Sequence, residues 1–167
     1  KQSHQPHICK VVLLGESGVG KTSIISQFIE HEFYEFLTST TGAQFSTKTV
    51  TFDKYNKSID FEIWDTAGQE KFRCLNKLFF KEAKIAIIVC DITKKKSFDE
   101  IHSFWYNYIK EVCGQDIVIA IAENKADLYD MEEVFENDVN EFAKQFRVIH
   151  KRTSAKTGAG IRELLKM

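Results

Sequence analysis

A glycine-rich segment near the start of the chain carries residue types that bind phosphate. It fits the pattern G-x-x-x-x-G-K-[ST] and reads Gly15-Glu16-Ser17-Gly18-Val19-Gly20-Lys21-Thr22. An apolar run, residues 11–14, precedes it, and a stretch that can be helical follows it. In that context the glycines permit a tight wrap, and backbone N–H groups at the helix start face the anion. We therefore predict a phosphate-binding loop rather than an ordinary glycine turn.

Two side chains of this segment have distinct predicted roles. Lys21 is expected to bridge the terminal phosphates of a triphosphate and so to act in catalysis. The Thr22 hydroxyl is expected to bind Mg²⁺, a hard cation that prefers oxygen ligands. The predicted phosphate-binding residues are Ser17, Gly18, Val19, Gly20, Lys21, Thr22 and Ser23.

A second polar segment, Asp65-Thr66-Ala67-Gly68-Gln69-Glu70, follows directly on a strand-like run that ends at Trp64. At such a strand end Asp65 can hold a magnesium-bound water. Gly68 can offer its N–H to a γ-phosphate, and Gln69 can orient an attacking water without deprotonating it. Taken alone the segment is also compatible with a surface turn, and the phosphate-binding loop upstream favours the catalytic interpretation.

A third segment, Asn124-Lys125-Ala126-Asp127, carries the residue that predicts the base. The Asp127 carboxylate can accept hydrogen bonds from both N1–H and the exocyclic amino group of guanine, and adenine lacks that amino group. Asn124 can join this loop to the phosphate-binding loop, and the stem of Lys125 can lie along the base. An exposed charged loop is the alternative for these four residues alone. Together with the upstream loop they predict GTP.

The segment Thr153-Ser154-Ala155-Lys156 follows a strand-like run, residues 146–150, and is the least specific of the four motifs. We expect the Ala155 N–H to reach guanine O6. Ser154 and Lys156 are predicted to lie in the same loop beside the base.

Short apolar runs without alternation predict the strands that position these loops. Residues 11–14, 85–89 and 117–121 are typical of strands covered on both faces of a parallel sheet. Residues 45–49 and 59–63 alternate around the turn-like residues 53–57, which predicts one antiparallel hairpin. The resulting fold class is α/β, a doubly wound, mostly parallel six-stranded sheet with one antiparallel strand and helices on both faces.

Helical spacing between the strands predicts amphipathic helices. One apolar stripe, opened by a capping-box pattern at Ser97 and Glu100, comprises Phe98, Ile101, Trp105, Tyr108, Ile109 and Val112. The other comprises Phe135, Val139, Phe142, Ala143 and Phe146. We interpret these aromatic residues as core packing rather than a cofactor site, because their spacing suits a helix lying on a sheet.

Composition limits the function classes. The chain has 167 residues, 43% hydrophobic residues and a formal net charge of −1, which suits one soluble domain without a nucleic-acid-binding surface. The run Lys94-Lys95-Lys96 is expected to be a solvated loop. Four cysteines, Cys9, Cys74, Cys90 and Cys113, match no metal or redox spacing and are interpreted as reduced cytosolic thiols. No apolar stretch is long enough to span a membrane.

With these motifs placed, the chain resembles the Ras superfamily of small GTPases, and within it the Rab branch, over essentially its whole length. Rab-like stretches are residues 40–45, 57–70, 79–83 and 90–93, and residues 117–128 are similar to the early-endosomal Rabs. The resemblance implies a P-loop NTPase fold in one small G domain, residues 1–167. It also implies that Thr40 senses Mg²⁺ and that Phe33 flanks the guanine. The implied effector surface is Thr41, Phe45, Trp64 and Phe79.

The same resemblance implies a mechanism and partners. We expect a slow GTPase that cycles between GTP and GDP with Mg²⁺, acting as a monomer with an activating protein, an exchange factor and effectors. A lipidated tail, absent here because the chain is expected to be truncated within its last helix at Met167, would carry it from the cytoplasm onto an endosomal or other trafficking membrane. The alternatives are an ATP-dependent kinase or motor on the same loop, and a scaffold that binds GTP without hydrolysing it.

Four positions depart from the Rab pattern. Thr41 replaces the usual Ile or Val, Phe79-Phe80 replaces Tyr-Tyr, Glu82 replaces Gly, and Arg152 replaces the Glu that commonly precedes the last guanine loop. Nucleotide chemistry is expected to survive these changes. Effector identity is expected to differ, because Thr41 and Phe79 lie on the implied effector surface.

Overall fold

A six-stranded sheet forms the centre of the structure, a computed structural model that describes residues 7–30, 44–66 and 80–167. In spatial order the strands run β2-β3-β1-β4-β5-β6. Their bounds are β1 His7–Leu14, β2 Gln44–Phe52, β3 Lys57–Asp65, β4 Ile85–Asp91, β5 Val118–Asn124 and β6 Ile149–Arg152. Every neighbouring pair is parallel except β2 with β3. The predicted fold class is confirmed.

The one antiparallel pair is closed by a tight turn. A short 3₁₀ segment, Asp53–Tyr55, leads to Asn56, whose φ of 47° and ψ of 45° place it in the left-handed region. Asparagine tolerates that conformation better than most residues, so the chain can reverse here without a glycine. This hairpin places β2 at the edge of the sheet.

Helices cover both faces of the sheet. They are α1 Lys21–Glu30, α2, α3 Glu136–Phe146 and α4 Ile161–Lys166, with a 3₁₀ segment at Ala126–Met131. The helix α2 comprises an α-helical part Lys95–Glu100, a π-helical part Ile101–Trp105 and an α-helical part Tyr106–Cys113. Alternate residues of β1 serve opposite faces, because strand side chains alternate: Val12 and Leu14 pack with α2 and α3, whereas Val11 and Leu13 pack with α1 and α4.

The start of α2 differs from the capping box predicted at Ser97. The helix begins at Lys95, where no side chain of the preceding residue caps it, and the Lys95 N–H donates to Glu133 Oε2 at 3.0 Å. Ser97 is buried, and its hydroxyl donates to the Lys94 carbonyl at 2.6 Å and accepts from the Asp91 N–H at 2.9 Å. Local spacing could not reveal Glu133, which lies 38 residues away. The serine therefore fastens the helix to the end of β4.

The strand predicted at residues 146–150 also lies elsewhere. Phe146 ends α3, and the chain reverses at Arg147, whose φ is 55°. The strand β6 then begins at Ile149. The apolar character of Phe146 reflects the helical stripe, because it packs against the core cluster that contains Val139, Phe142 and Ala143. Phe135, the first residue of that predicted stripe, precedes the helix and is exposed.

No helix in the described ranges is both long and apolar enough to cross a membrane. The cysteines Cys9, Cys90 and Cys113 are free thiols, as expected, and Cys74 lies outside the described residues.

Candidate nucleotide-binding site

The predicted site residues follow strand ends that meet at one edge of the sheet. Four adjacent parallel strands, β3, β1, β4 and β5, end at Asp65, Leu14, Asp91 and Asn124. In open α/β sheets ligands bind in the crevice beyond these carboxyl ends. All four predicted motifs begin at or just after this edge, so the topology brings together segments that are far apart in sequence.

The phosphate-binding loop, residues 15–20, wraps tightly between β1 and α1. A Cβ on Gly15 would lie 2.3 Å from the Val89 carbonyl oxygen, and a Cβ on Gly20 would lie 2.3 Å from Asn124 Nδ2. Both glycines also have positive φ, 143° and 100°. Only glycine combines that backbone with that close approach. The loop is therefore packed directly against the ends of β4 and β5.

Lys21 is held over the loop that precedes it. Its ammonium donates to the carbonyl oxygens of Gly15 and Glu16, both at 2.8 Å, and its side chain is 3% exposed. A buried ammonium needs such charge-assisted hydrogen bonds, because an uncompensated charge in the interior is unfavourable. These contacts fix the cation at the concave side of the loop.

Thr22 and Asp65 lie together at the other end of the loop. The Thr22 hydroxyl donates to Asp65 Oδ2 at 2.5 Å, although the two residues are 43 positions apart. The neighbouring Thr66 hydroxyl donates to the Leu13 carbonyl at 2.6 Å, which fastens the end of β3 to β1. Two hard oxygen atoms thus converge beside the phosphate-binding loop.

This donor set suits Mg²⁺. The ion usually takes only one or two protein oxygens and completes its octahedron with waters and substrate phosphates. Among the described residues no group of three or more His, Cys, Asp or Glu side chains is placed to hold a metal. The hydroxyl and carboxylate at Thr22 and Asp65 would hold the ion, which would supply positive charge beside the phosphates.

Asn124 joins three loops at the edge of the sheet. Its Nδ2 donates to the Val19 carbonyl at 2.9 Å, and its Oδ1 accepts from the Thr153 hydroxyl and the Ala155 N–H, both at 3.2 Å. The side chain is 1% exposed, so each of these bonds satisfies a buried polar group. The link to the phosphate-binding loop that the sequence suggested is present.

Lys125 crosses the site and meets a carboxylate that sequence analysis missed. Its Nζ donates to the Gly18 carbonyl at 2.9 Å and lies 2.7 Å from Asp91 Oδ2. Asp91 ends β4, and its Oδ1 accepts from the N–H and hydroxyl of Thr93 at 2.9 and 2.6 Å. The sequence signal that could have identified Asp91 was a single acidic residue at the end of an apolar strand.

Hydrogen bonding decides the charge state of Asp91. Burial alone would raise the pKa of this carboxyl, but hydrogen bonds from Lys125 and Thr93 and the charge of Lys125 outweigh it and lower the pKa below the usual 3.8. Asp91 is therefore a carboxylate at neutral pH. It holds Lys125 above the crevice.

Asp127 is oriented by the fourth motif. The Ser154 hydroxyl donates to Asp127 Oδ1 at 2.7 Å, while Ser154 itself is 1% exposed. The Ala155 N–H, which we expected to face guanine O6, donates to Asn124 in this structure. Lys156 is exposed at the rim. The two loops thus support each other, with one oxygen of the Asp127 carboxylate bound to Ser154.

A pair of aromatic residues from the implied effector surface lies on the adjacent hairpin. Phe45 and Trp64 are cross-strand partners whose rings stack at 5.2 Å with an interplanar angle of 18°. Phe45 is 55% exposed, so one ring face remains accessible. Lys10 Nζ lies 4.3 Å from the Trp64 ring centroid, a cation–π contact that fixes the indole.

Six predicted residues lie outside the described residues: Phe33, Thr40, Thr41, Gly68, Gln69 and Phe79. Their assignments remain predictions from the sequence.

Comparison with known proteins supports the interpretation of these motifs. The Ras family profile matches residues 10–167. The Ras-related protein Rab-22A of Homo sapiens is 44% identical over 155 residues, which cover 93% of this chain and 78% of that protein. The Ras-related protein Rab-31 of Mus musculus is 43% identical over 157 residues, which cover 94% of this chain and 79% of that protein. The chain therefore belongs to the Ras family, in its Rab branch, and is a small GTPase that binds and hydrolyses GTP.

Proposed function

We propose that this Rab-branch GTPase is a nucleotide-controlled switch in membrane trafficking, which binds effectors in its GTP state. One observation carries the proposal: the side chains of Asn124 and Lys125 reach across to Val19 and Gly18 and so build one crevice from the phosphate-binding and base-reading loops. A crevice with Lys21 at one end and Asp127 near the other suits a guanine nucleotide.

The described residues support binding and charge compensation at opposite ends of the nucleotide. Lys21 and the loop N–H groups would meet the β- and γ-phosphates, and Thr22 with Asp65 would hold the Mg²⁺ that Ras-family GTPases generally use. Asp127 would accept both guanine donors, with Ser154 fixing its orientation. By this proposal Gln69 orients the attacking water, and Thr40 and Gly68 contact the γ-phosphate side.

Switching would follow from loss of the γ-phosphate. Segments 32–42 and 67–80 would be held through Thr40 and Gly68 only while that phosphate is present. The stacked pair of exposed Phe45 and partly buried Trp64 lies between these segments in sequence and would form the constant part of the effector surface. The proposed partners are exchange factors and activating proteins. The proposed location is the endosomal membrane. A single G domain over residues 1–167 is part of the same proposal.

Nucleotide identity provides the direct test. Heat release and chromatography of the nucleotide from purified protein should yield GDP or GTP, and excess ATP should not displace labelled GDP. Equal displacement by ATP would support the alternative of an ATP-dependent enzyme and would contradict the proposed base recognition.

Hydrolysis is tested separately with Gln69→Leu, whose apolar side chain cannot orient water. We expect unchanged GDP and GTP affinity and a fall of about tenfold or more in single-turnover phosphate release, since loss of correct positioning can cost about 10²-fold in rate. Wild-type protein that releases no phosphate over hours with Mg²⁺ would favour a non-hydrolysing scaffold. Equal rates in both proteins would remove Gln69 from the mechanism.

A further inference from the structure

Arg152 lies where both base-reading loops begin. Arg152 is the last residue of β6 and pairs in register with Glu123 of β5, and the residues that follow these two along the chain are Thr153 and Asn124. Backbone hydrogen bonds continue past this pair, from Thr153 N–H to the Glu123 carbonyl at 3.0 Å and from Ala126 N–H to the Thr153 carbonyl at 2.9 Å. A shift of Arg152 would therefore displace both the loop that begins at Asn124 and the loop that begins at Thr153.

The guanidinium also reaches the far end of the guanine loop. Its Nη1 donates to Glu132 Oε2 and its Nη2 to the Val134 carbonyl, both at 2.9 Å. Glu132 and Val134 follow the 3₁₀ segment Ala126–Met131, which carries Asp127. A planar guanidinium can hold several acceptors in fixed directions, which the point charge of lysine cannot. One side chain therefore joins the residues before and after residues 124–131.

The third contact of Arg152 is with a buried carboxyl. Its Nε lies 3.8 Å from Glu123 Oε2, and His150 Nδ1 lies 3.5 Å from the same oxygen. Glu123 is 0% exposed, and within the described ranges neither of its carboxyl oxygens has a hydrogen-bond partner. Burial raises the pKa of Glu123, while the charges of Arg152 and His150 oppose that rise. Without Arg152 this buried acid would lose the guanidinium charge that lies beside it.

We propose that Arg152 is a positioning residue for guanine recognition, holding both ends of the loop 124–131 so that Asp127, bonded to Ser154, faces the base edge. The inference rests on the proposed role of Asp127 in reading guanine. It concerns a position at which this chain departs from the Rab pattern, since a basic residue stands in place of the usual acid.

The test compares GDP with inosine diphosphate, which lacks only the exocyclic amino group that Asp127 would bind. Wild-type protein should prefer GDP by about 10- to 100-fold, as expected for one hydrogen bond to a charged group. In Arg152→Met we expect that preference to fall below about threefold, because a misaligned carboxylate loses this bond first. Calorimetric titration of nucleotide-depleted protein with each diphosphate gives the ratio.

Two further variants separate positioning from general destabilisation. Lys151→Met removes a neighbouring cation whose side chain points to the opposite face of β6 and should keep the wild-type ratio. Glu132→Gln weakens one arm of the contact at a half-exposed position and should give an intermediate ratio even if Arg152→Met fails to fold.

The outcomes are distinguishable. A wild-type preference that survives unchanged in both Arg152→Met and Glu132→Gln would overturn the inference and leave guanine reading intact. A wild-type protein that binds both diphosphates equally would overturn the role of Asp127, and the inference with it. A reduced ratio in Arg152→Met with a normal ratio in Lys151→Met supports it.

Discussion

Individual side chains in this site mostly serve two partners at once. Asn124 forms hydrogen bonds with both the phosphate-binding loop and the loop that contains Ala155. Lys125 contacts both Gly18 and Asp91. A substitution at such a position therefore affects several loops. Asp127 differs, because the described structure gives it a contact with Ser154 on one oxygen, and its effect should be confined to the base.

Asp127→Asn should change which purine is bound. An amide can accept from N1–H but donates where the carboxylate accepted, which suits the 2-oxo group of xanthine and not the 2-amino group of guanine. We expect GDP affinity to fall by about tenfold or more, the effect of one hydrogen bond to a charged group, and xanthosine diphosphate to bind better than GDP. Competition titrations measure the order. Asp130→Asn, an exposed position on the same 3₁₀ segment, should leave it unchanged.

Asp91→Asn should destabilise the protein in a pH-dependent way. The folded-state pKa of Asp91 lies below the unfolded value of 3.8, so the unfolded state binds more protons and the stabilisation disappears as pH falls through the folded value. At pH 7 the variant should lose about 1.5–3 kcal/mol, because hydrogen bonds to a charged group are removed. Urea unfolding from pH 7 down to about pH 2 should show the deficit shrinking only below about pH 3.8. A constant deficit would contradict this assignment.

At the scale of elements, the loop before β4 carries local backbone strain at Glu82. Glu82, between Phe80 and β4, has a φ of 64°, a conformation that glycine adopts without cost. The resemblance to the Rabs leads us to expect glycine at this position. Glutamate is therefore strained at this backbone position.

Glu82→Gly should stabilise the protein. Relief of left-handed strain is worth about 1–2 kcal/mol, and the extra freedom of glycine in the unfolded chain offsets about 0.5–1 kcal/mol, which leaves a net gain of up to about 1.5 kcal/mol. Thermal unfolding should show a higher midpoint. Glu82→Ala is the matched control, because it removes the same charge but keeps a Cβ. An equal gain in the alanine variant would show that charge, not strain, is the cause.

At the scale of the whole molecule, the nucleotide crevice is formed by loops that are far apart in sequence. Hydrogen bonds between residues more than 100 positions apart, Lys125 to Gly18 and Asn124 to Val19, close it. A ligand that contacts both sides binds only the folded chain and so stabilises it by mass action. Global stability should therefore follow nucleotide and Mg²⁺ occupancy.

Removal of Mg²⁺ tests that coupling. Addition of EDTA to the GDP complex should accelerate release of a fluorescent GDP analogue and lower the thermal midpoint, because Thr22 and Asp65 would lose the ion that links them to the phosphates. Since a tenfold loss of affinity costs about 1.4 kcal/mol, a shift of a few degrees is expected. Excess Mg²⁺ should restore both values. A release rate indifferent to EDTA would argue against a metal at this pair.

The sequence predicted most of this architecture because its signals are local. Buried strands appear as apolar runs, and each motif directly follows one of them. The sequence did not reveal the contacts of Asp91, Glu133 and Arg152, because their partners lie far away along the chain. The separations are 34 residues for Asp91, 38 for Glu133 and 18 to 29 for Arg152, and local sequence patterns carry no information about contacts at that range. The Ser97 capping box was wrong for the same reason, since Glu133 at the N-terminus of the helix replaced it.

The π-helical turn at Ile101–Trp105 has a consequence for the opposite side of the domain. An unbroken α-helix advances about 100° per residue, so residues eight apart drift by roughly 80° around the axis. A π-helical turn contains more residues than an α-helical turn, so residues four apart stay on nearly the same face. Ile101, Trp105 and Ile109, which are spaced four apart, are therefore all 0% exposed. If this segment became an unbroken α-helix with no residue deleted, its downstream half would rotate by roughly 80° and Ile109 would turn toward water, whereas deleting one residue as well would place Ile109 seven positions after Ile101 and return it to the buried face.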